Sequence, residues 1–162
     1  MSTSSVVQDK VLRYAREVYN IVQIDSDGDV LIPFPERNVY ISIDEVIPTE
    51  SSAIAYAEKH QLPTTWVHVF SILVREIVPS PALYEWIATE GQEFDYGSCK
   101  VVKREDGTVE AHLYYNLPGD FIDPGELKNA IRYVGEVTFG IEDTIHEKFG
   151  GKRSVDYKES EE

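Results

Sequence analysis

Apolar residues at the start of the chain recur with the period of a helix. Val7, Val11, Tyr14 and Val18 are spaced by four, three and four, while Lys10, Arg13, Arg16 and Glu17 take the other side. One apolar stripe of this kind predicts an amphipathic helix over residues 6–20. The pattern then changes to alternation. Val22 and Ile24 alternate with Gln23 and Asp25, and Ser26-Asp27-Gly28 supplies turn residues because glycine tolerates positive φ. Val30 to Phe34 returns as the partner strand, with Pro33 marking an edge or a bulge since it cannot donate to a ladder. After the turn Pro35-Glu-Arg-Asn38, Val39, Ile41 and Ile43 alternate with Tyr40, Ser42 and Asp44, a third strand with one wet face.

Residues 47–64 carry the weakest pattern. A short helix around Ile54 and Ala57, ended by Pro63, and a loop packed on the sheet are both compatible with it. Residues 66–77 form the most apolar strand. Trp66, His68, Phe70, Ile72 and Val74 fall on one face and Val67, Val69, Leu73 and Ile77 on the other, which predicts a central strand. Ser80 then reads as an N-cap with Pro81 at the first helical position, Leu83, Trp86 and Ile87 as the buried side, and Gly91 as the stop. A hairpin follows, from Ser98 to Lys103, around Glu105-Asp106-Gly107, and back over residues 108–116. Val109, Ala111, Leu113 and Tyr115 share one face; Glu110, His112, Tyr114 and Asn116 share the other.

The last element has the clearest start signals: Asp123 as N-cap, Pro124 next, and Glu126 placed to close a capping box. Leu127, Ile131, Val134, Thr138, Ile141, Ile145 and Phe149 step along one side, which predicts a helix of about 25 residues, ~38 Å at the usual rise. Gly150-Gly151 ends it. The expected architecture is α+β: one antiparallel sheet packed by helices, in the order α-β-β-β-(α)-β-α-β-β-α. Residues 1–151 are expected to form a single α+β domain, and the charged, unpatterned residues 152–162 a disordered tail.

Composition narrows the function classes. With 15 basic and 29 acidic residues the formal charge is −14, which disfavours phosphate backbones and anionic bilayers, so neither nucleic acid nor membrane is an expected partner. There is no apolar run of membrane-spanning length and no signal-peptide pattern at the start. The single cysteine, Cys99, excludes an internal disulfide and suits a reducing compartment. A soluble cytoplasmic protein is expected.

Candidate chemistry is sparse. Asp25-Ser-Asp27-Gly28-Asp29 has the acidity of a calcium loop, but the glycine that makes the sharp turn belongs at the sixth position, which here is Val30. His60, His68, His112 and His146 lack the spacing that pairs ligands on one helix face, although His68 and His112 could meet across strands. Cys99 has no local activating base. Glu76, Glu85 and Glu90 could line a cleft. Gly150-Gly-Lys152 follows a helix, whereas a phosphate loop precedes one. No catalytic residue, cofactor or metal is expected. Tyr40, Trp66 and Tyr114 are the candidate protein-binding residues. Tyr40 and Tyr114 sit on the polar faces of their strands, where a large aromatic is not needed for a core but is a good anchor for a partner.

The blocks Val74-Arg-Glu-Ile-Val-Pro79, Leu83-Tyr-Glu-Trp86, Phe94-Asp-Tyr-Gly97, Leu117-Pro-Gly-Asp120, Asp123-Pro-Gly-Glu-Leu127 and Phe149-Gly-Gly151, in this order, resemble the actinobacterial YbjN-like and type III secretion chaperone-like proteins. The resemblance covers roughly residues 20–153, and any departure from the family is expected within 47–64. It implies a compact α+β domain that binds a segment of another protein, often as a homodimer, and it carries over no catalytic residue. The expected function is therefore a non-enzymatic, chaperone-like or regulatory module that holds a peptide or a partner protein. A small-molecule-sensing regulatory domain is the first alternative and an enzyme the second. A binding module should show an exposed apolar patch and an open sheet edge, a sensor an enclosed pocket, and an enzyme a cleft with titrating groups in mutual reach.

Overall fold

Alternating sequence produces an antiparallel sheet in the computed structural model, which describes residues 3–46, 48, 50–137 and 140–160. Its strands are β1 (Gln23–Ile24), β2 (Val30–Pro33), β3 (Asn38–Glu45), β4 (Thr65–Ile77), β5 (Ser98–Lys103), β6 (Val109–Pro118) and β7 (Lys152–Arg153). They lie in the order β1-β2-β3-β4-β6-β5, with β7 paired to β4, and every pairing is antiparallel. The helices are α1 (Thr3–Arg16), α2 (Ser51–His60), α3 (Pro81–Ala88), α4 (Pro124–Arg132), α5 (Ile141–Phe149) and α6 (Ser154–Ser160). This is the α+β architecture expected from the periodicities. No described helix is long and apolar enough to cross a membrane.

One face of the sheet makes the core. Val39, Ile41, Val67, Val69, Leu73, Ala111 and Leu113 are buried, in one cluster with Val7 and Val11 of α1, Leu83 of α3, Leu127 and Ile131 of α4 and Ile145 of α5. Strand alternation makes this one-sided burial possible, because successive side chains point to opposite faces. β4 departs from strict alternation. Register shifts between Ile72 and Val74, and between Val74 and Ile77, turn Val74 inward to pair with Ala111, so it does not share the face of Trp66 as the simple pattern predicted.

The predicted caps are present. The Ser80 side chain accepts a hydrogen bond from the Leu83 N–H, and Asp123 and Glu126 form the reciprocal capping box. α3 stops at Thr89 rather than at Gly91; the Thr89 hydroxyl donates to the Glu85 carbonyl, and Gly91 is buried against Cys99. In the weakly patterned segment, α2 forms and ends on Gln61, which has φ of +50°.

Two expectations are corrected. The single long helix is broken into α4, a π-helical turn over Tyr133–Val137, and α5, which starts after Gly140 at φ +84°. A β-carbon built on Gly135 would lie 2.7 Å from the Phe34 ring, so the chain approaches that ring only because position 135 is glycine. The apolar stripe survives the break, with Leu127, Ile131, Val134, Ile141 and Ile145 buried; Thr138 lies outside the described residues. Nor are residues 152–160 a disordered tail. Gly150 and Gly151 both have positive φ and turn the chain back onto β4, where Val74 pairs with Arg153 and Arg75 with Lys152. The charges that suggested solvation are paired: Lys152 with Glu76 at 2.9 Å, and Arg153 with Asp143 at 2.7 Å and Asp156 at 2.9 Å. Residues 161 and 162 lie outside the described residues.

A buried ion pair fixes α5 to the sheet. Arg37, in the turn between β2 and β3, is 1% exposed and meets Glu142 of α5 at 3.0 Å. At the opposite end Asp120 accepts hydrogen bonds from the backbone N–H and hydroxyl groups of both Thr64 and Thr65, at 2.7–3.0 Å, and so clamps the start of β4.

Candidate protein-binding face

The other face of the sheet is covered far less completely. Register places Leu31, Tyr40, Phe70 and Tyr114 in one row across β2, β3, β4 and β6, all on this face and all half-buried. The Phe70 ring stacks between its neighbours: its centroid is 5.4 Å from that of Tyr40, with 20° between the planes, and 4.9 Å from that of Tyr114, with 11°. His112, one step along β6, lies parallel to Phe70 within 2° at 5.9 Å. The Lys100 ammonium sits 4.2 Å from the Tyr114 ring centroid. Three half-buried rings and a cation, backed by the buried His112 ring, thus form a continuous aromatic platform, in geometries that favour ring–ring and cation–ring attraction.

Tyr40 and Tyr114, chosen as candidates from the sequence, are brought together through Phe70. Trp66, the third, shares the face but stands apart from the stack, four residues from Phe70 along β4, ~13 Å at the strand rise, beside Asp44 and Pro118. Phe70, His112, Leu31 and Lys100 were not chosen. The signal for Phe70 was available, since it alternates in phase with Trp66; the cross-strand register that places it between two tyrosines was not.

Charge is distributed unevenly around the platform. At one corner Asp44 pairs with His68 Nε2 at 3.1 Å, and Asp25, Asp27 and Asp29 crowd the β1–β2 turn. Burial raises the Asp29 carboxyl above its ordinary value, and Asp25, Asp27 and Asp44 push it the same way. Burial also raises the Tyr114 phenol, followed by the negative fields of Asp29, Asp44 and Glu110. At the opposite corner lie Lys100, Arg75 and Arg104. Glu110 lies between both arginines, at 3.8 and 3.7 Å, and His112 Nε2, at 2.9 Å. Burial opposes the Glu110 charge, but the His112 hydrogen bond and the adjacent positive charges outweigh it and hold the carboxyl below its usual range.

The other candidates have structural roles. Asp25 Oδ1 accepts the N–H groups of Asp27 and Asp29, closing the turn on itself. His68 and His112 point to different partners, Asn116 with Asp44 and Glu110 respectively, on either side of the Phe70 row. Among the described residues no group of three or more His, Cys, Asp or Glu is placed to hold a metal ion. Cys99 is buried, and burial pushes its thiol up to about 12. Glu85 and Glu90 line a shallow depression with Trp86 and Lys148, while Glu76 lies elsewhere, held by Lys152 and Tyr157.

The family model that matches the chain is described as T3SS (YopN, CesT) and YbjN peptide-binding chaperone 1, and it spans residues 44–157, well over half of the sequence. The chain belongs to this family. As a peptide-binding chaperone 1 protein it matches over the segment that carries Trp66, Phe70, Lys100, His112 and Tyr114; Tyr40 precedes the match. The resemblance read from the ordered sequence blocks is thereby borne out. Among solved structures, a chain from the "Structure of the HopA1-SchA Chaperone-Effector Complex" shares the chaperone family member's fold, with a TM-score of 0.50 and 14% identity over 88% of this chain and 98% of that one. No curated protein matches it.

Proposed function

We propose that this protein holds an extended segment of a partner protein against the open face of its sheet, anchoring it on Tyr40, Phe70 and Tyr114 with Trp66 at one end. The observation that carries the proposal is the aromatic row itself. Three half-buried aromatic rings, stacked with nearly parallel planes across neighbouring strands, line a face that no described helix closes as the core face is closed. Aromatic side chains supply large contact area at low entropic cost, and an extended segment turns every second side chain toward the face it lies on. The family's description as peptide-binding chaperones supports the same reading. So does the chemistry of the site, where contact rather than catalysis is favoured: the lone thiol is buried and held protonated, and the His112–Glu110 pair is engaged with arginines. The net charge of −14 keeps a protein with an open apolar face soluble, and the lone reduced thiol suits the cytoplasm.

A homodimer belongs to the same proposal. α2 buries none of its residues, leaving Ile54 39% and Tyr56 59% exposed, and a second copy would cover them. Sedimentation of the wild type and of a Tyr56→Glu variant tests it; identical monomeric masses remove the dimer.

The binding proposal is tested by site-specific photo-crosslinking in native lysate. A benzophenone amino acid is placed at position 40 or 114 on the open face, or at position 85 on the helical side. Segments crosslinked at 40 and 114 but not at 85 are expected. Crosslinks concentrated at 85 refute it.

A further inference from the structure

The two charged corners of the open face lie diagonally across the aromatic row. Asp44 is on β3 in the row of Trp66, and Asp29, just before β2, lies close enough to feel its charge. Lys100 is on β5 in the row of His112 and Ile72, six residues further along β4. Three strand spacings separate β3 from β5, so the corners are ~14 Å apart across the sheet and ~20 Å apart along it, ~25 Å on the diagonal. That is the reach of about seven or eight extended residues.

Each corner keeps an excess of one sign: Asp25, Asp27, Asp29 and Asp44 against His68, and Lys100, Arg75 and Arg104 against Glu110 and Asp106. The Asp29 carboxyl feels the charges of Asp25, Asp27 and Asp44, and among the described residues Asp44 forms an ion pair with His68 alone. Lys100 meets the Tyr114 ring and no carboxylate among the described residues. The arginines beside it share one carboxylate, Glu110, at distances too long for close ion pairs, and Asp106 adds a further negative charge near Arg104.

Resting on the reading of the open face as the binding surface, we infer that the occupant is a dipolar segment: extended, apolar or aromatic at alternate positions, with a basic residue docked at Asp29 and Asp44 and an acidic residue, about seven positions away, docked at Lys100. The apolar row supplies contact area and the two corners fix the direction in which the segment lies, since reversal brings like charges together.

The test uses the full chain and fluorescein-labelled twelve-residue peptides that share an alternating Phe/Ser centre. Their ends carry Lys and Glu, Lys and Lys, Glu and Glu, or Ser and Ser. Anisotropy titrations are expected to show the Lys/Glu peptide binding at least tenfold more tightly than the Ser/Ser peptide, with the advantage shrinking as salt rises from 50 to 300 mM. Asp44→Lys, at an exposed position, should weaken the Lys/Glu peptide about tenfold and favour the Glu/Glu peptide over it. Equal binding of the Lys/Glu and Ser/Ser peptides overturns the charge assignment and leaves the face reading standing. Absence of binding by all four removes both. A wild-type dimer that Lys100→Glu dissociates, with peptide binding only to the variant, overturns the inference in favour of a second copy of this chain.

Discussion

Phe70→Ala separates recognition from stability. A fully buried phenylalanine costs ~3–5 kcal/mol when cut to alanine, because transfer energy and a cavity add. Phe70 is half-buried, and its covering comes largely from three rings that can relax over an open face: Tyr40, Tyr114 and His112. About half of the core value is then expected, ~2 kcal/mol, which lowers the Tm by ~6 °C for a chain of this size. Leu73, three residues on and fully buried on the core face, should cost ~4 kcal/mol as Leu73→Ala. Urea titrations followed by tryptophan fluorescence give both numbers, since Trp86 lies in the core. The same Phe70→Ala protein should lose at least tenfold in affinity for an aromatic peptide, whereas Leu73→Ala, assayed where it is folded, should bind as the wild type does. If Phe70→Ala is as destabilising as Leu73→Ala, or binds peptide normally, the ring is part of the core and the platform argument fails.

Three further outcomes follow from particular contacts. Gly97 has φ of +94° and a β-carbon there would stand 2.2 Å from the Tyr114 carbonyl oxygen, so Gly97→Ala should cost at least ~2 kcal/mol in urea titrations, and Gly28→Ala, at φ +90° with open space around it, only ~1 kcal/mol. For Asp120, burial raises the carboxyl, but the hydrogen bonds from Thr65 and Thr64 outweigh it and hold the group below its ordinary value. A carboxyl depressed by folding stabilises above its unfolded pKa and ceases to do so as pH falls through the folded one. Asp120→Asn should therefore cost ~2 kcal/mol at pH 7, with the difference vanishing in acid; a constant difference from pH 7 to pH 2 contradicts the assignment. Cys99 should resist an aromatic disulfide reagent at pH 8 in the folded protein and react at once in 6 M guanidinium, because its thiol is buried and pushed up to about 12; rapid labelling of the native protein would show an accessible thiolate.

Local rules carried most of the fold. Caps at Ser80 and Asp123 depend on neighbours within three residues, and the hairpin faces of residues 98–116 depend on alternation, so both are written in the immediate sequence. What failed depends on long-range partners. The bulges that turn Val74 inward are visible only against β6. At the break after α4 the chain packs Gly135 against the Phe34 ring, a hundred positions earlier. The β7 pairing needs Gly150 and Gly151 to reverse the chain and Asp143 to receive Arg153, none of which a charged composition can signal. Arg37 looked like an ordinary turn residue because its partner, Glu142, lies on another element. The candidate site was half legible for the same reason. Alternation identifies outward aromatics such as Tyr40 and Tyr114, but the register that stacks them on Phe70 joins three strands distant in sequence.

Because β3, β4 and β6 send alternate side chains to opposite faces, each strand carries two independent texts. Val67 and Val69 are answerable to the core, while His68 and Phe70, which alternate with them, are not held by it to the same degree. Substitutions at the outward positions therefore cost less folding stability than those at the inward ones, ~2 against ~4 kcal/mol for Phe70 and Leu73 cut to alanine. A scaffold with that property can keep one side of its strands while the other is rewritten.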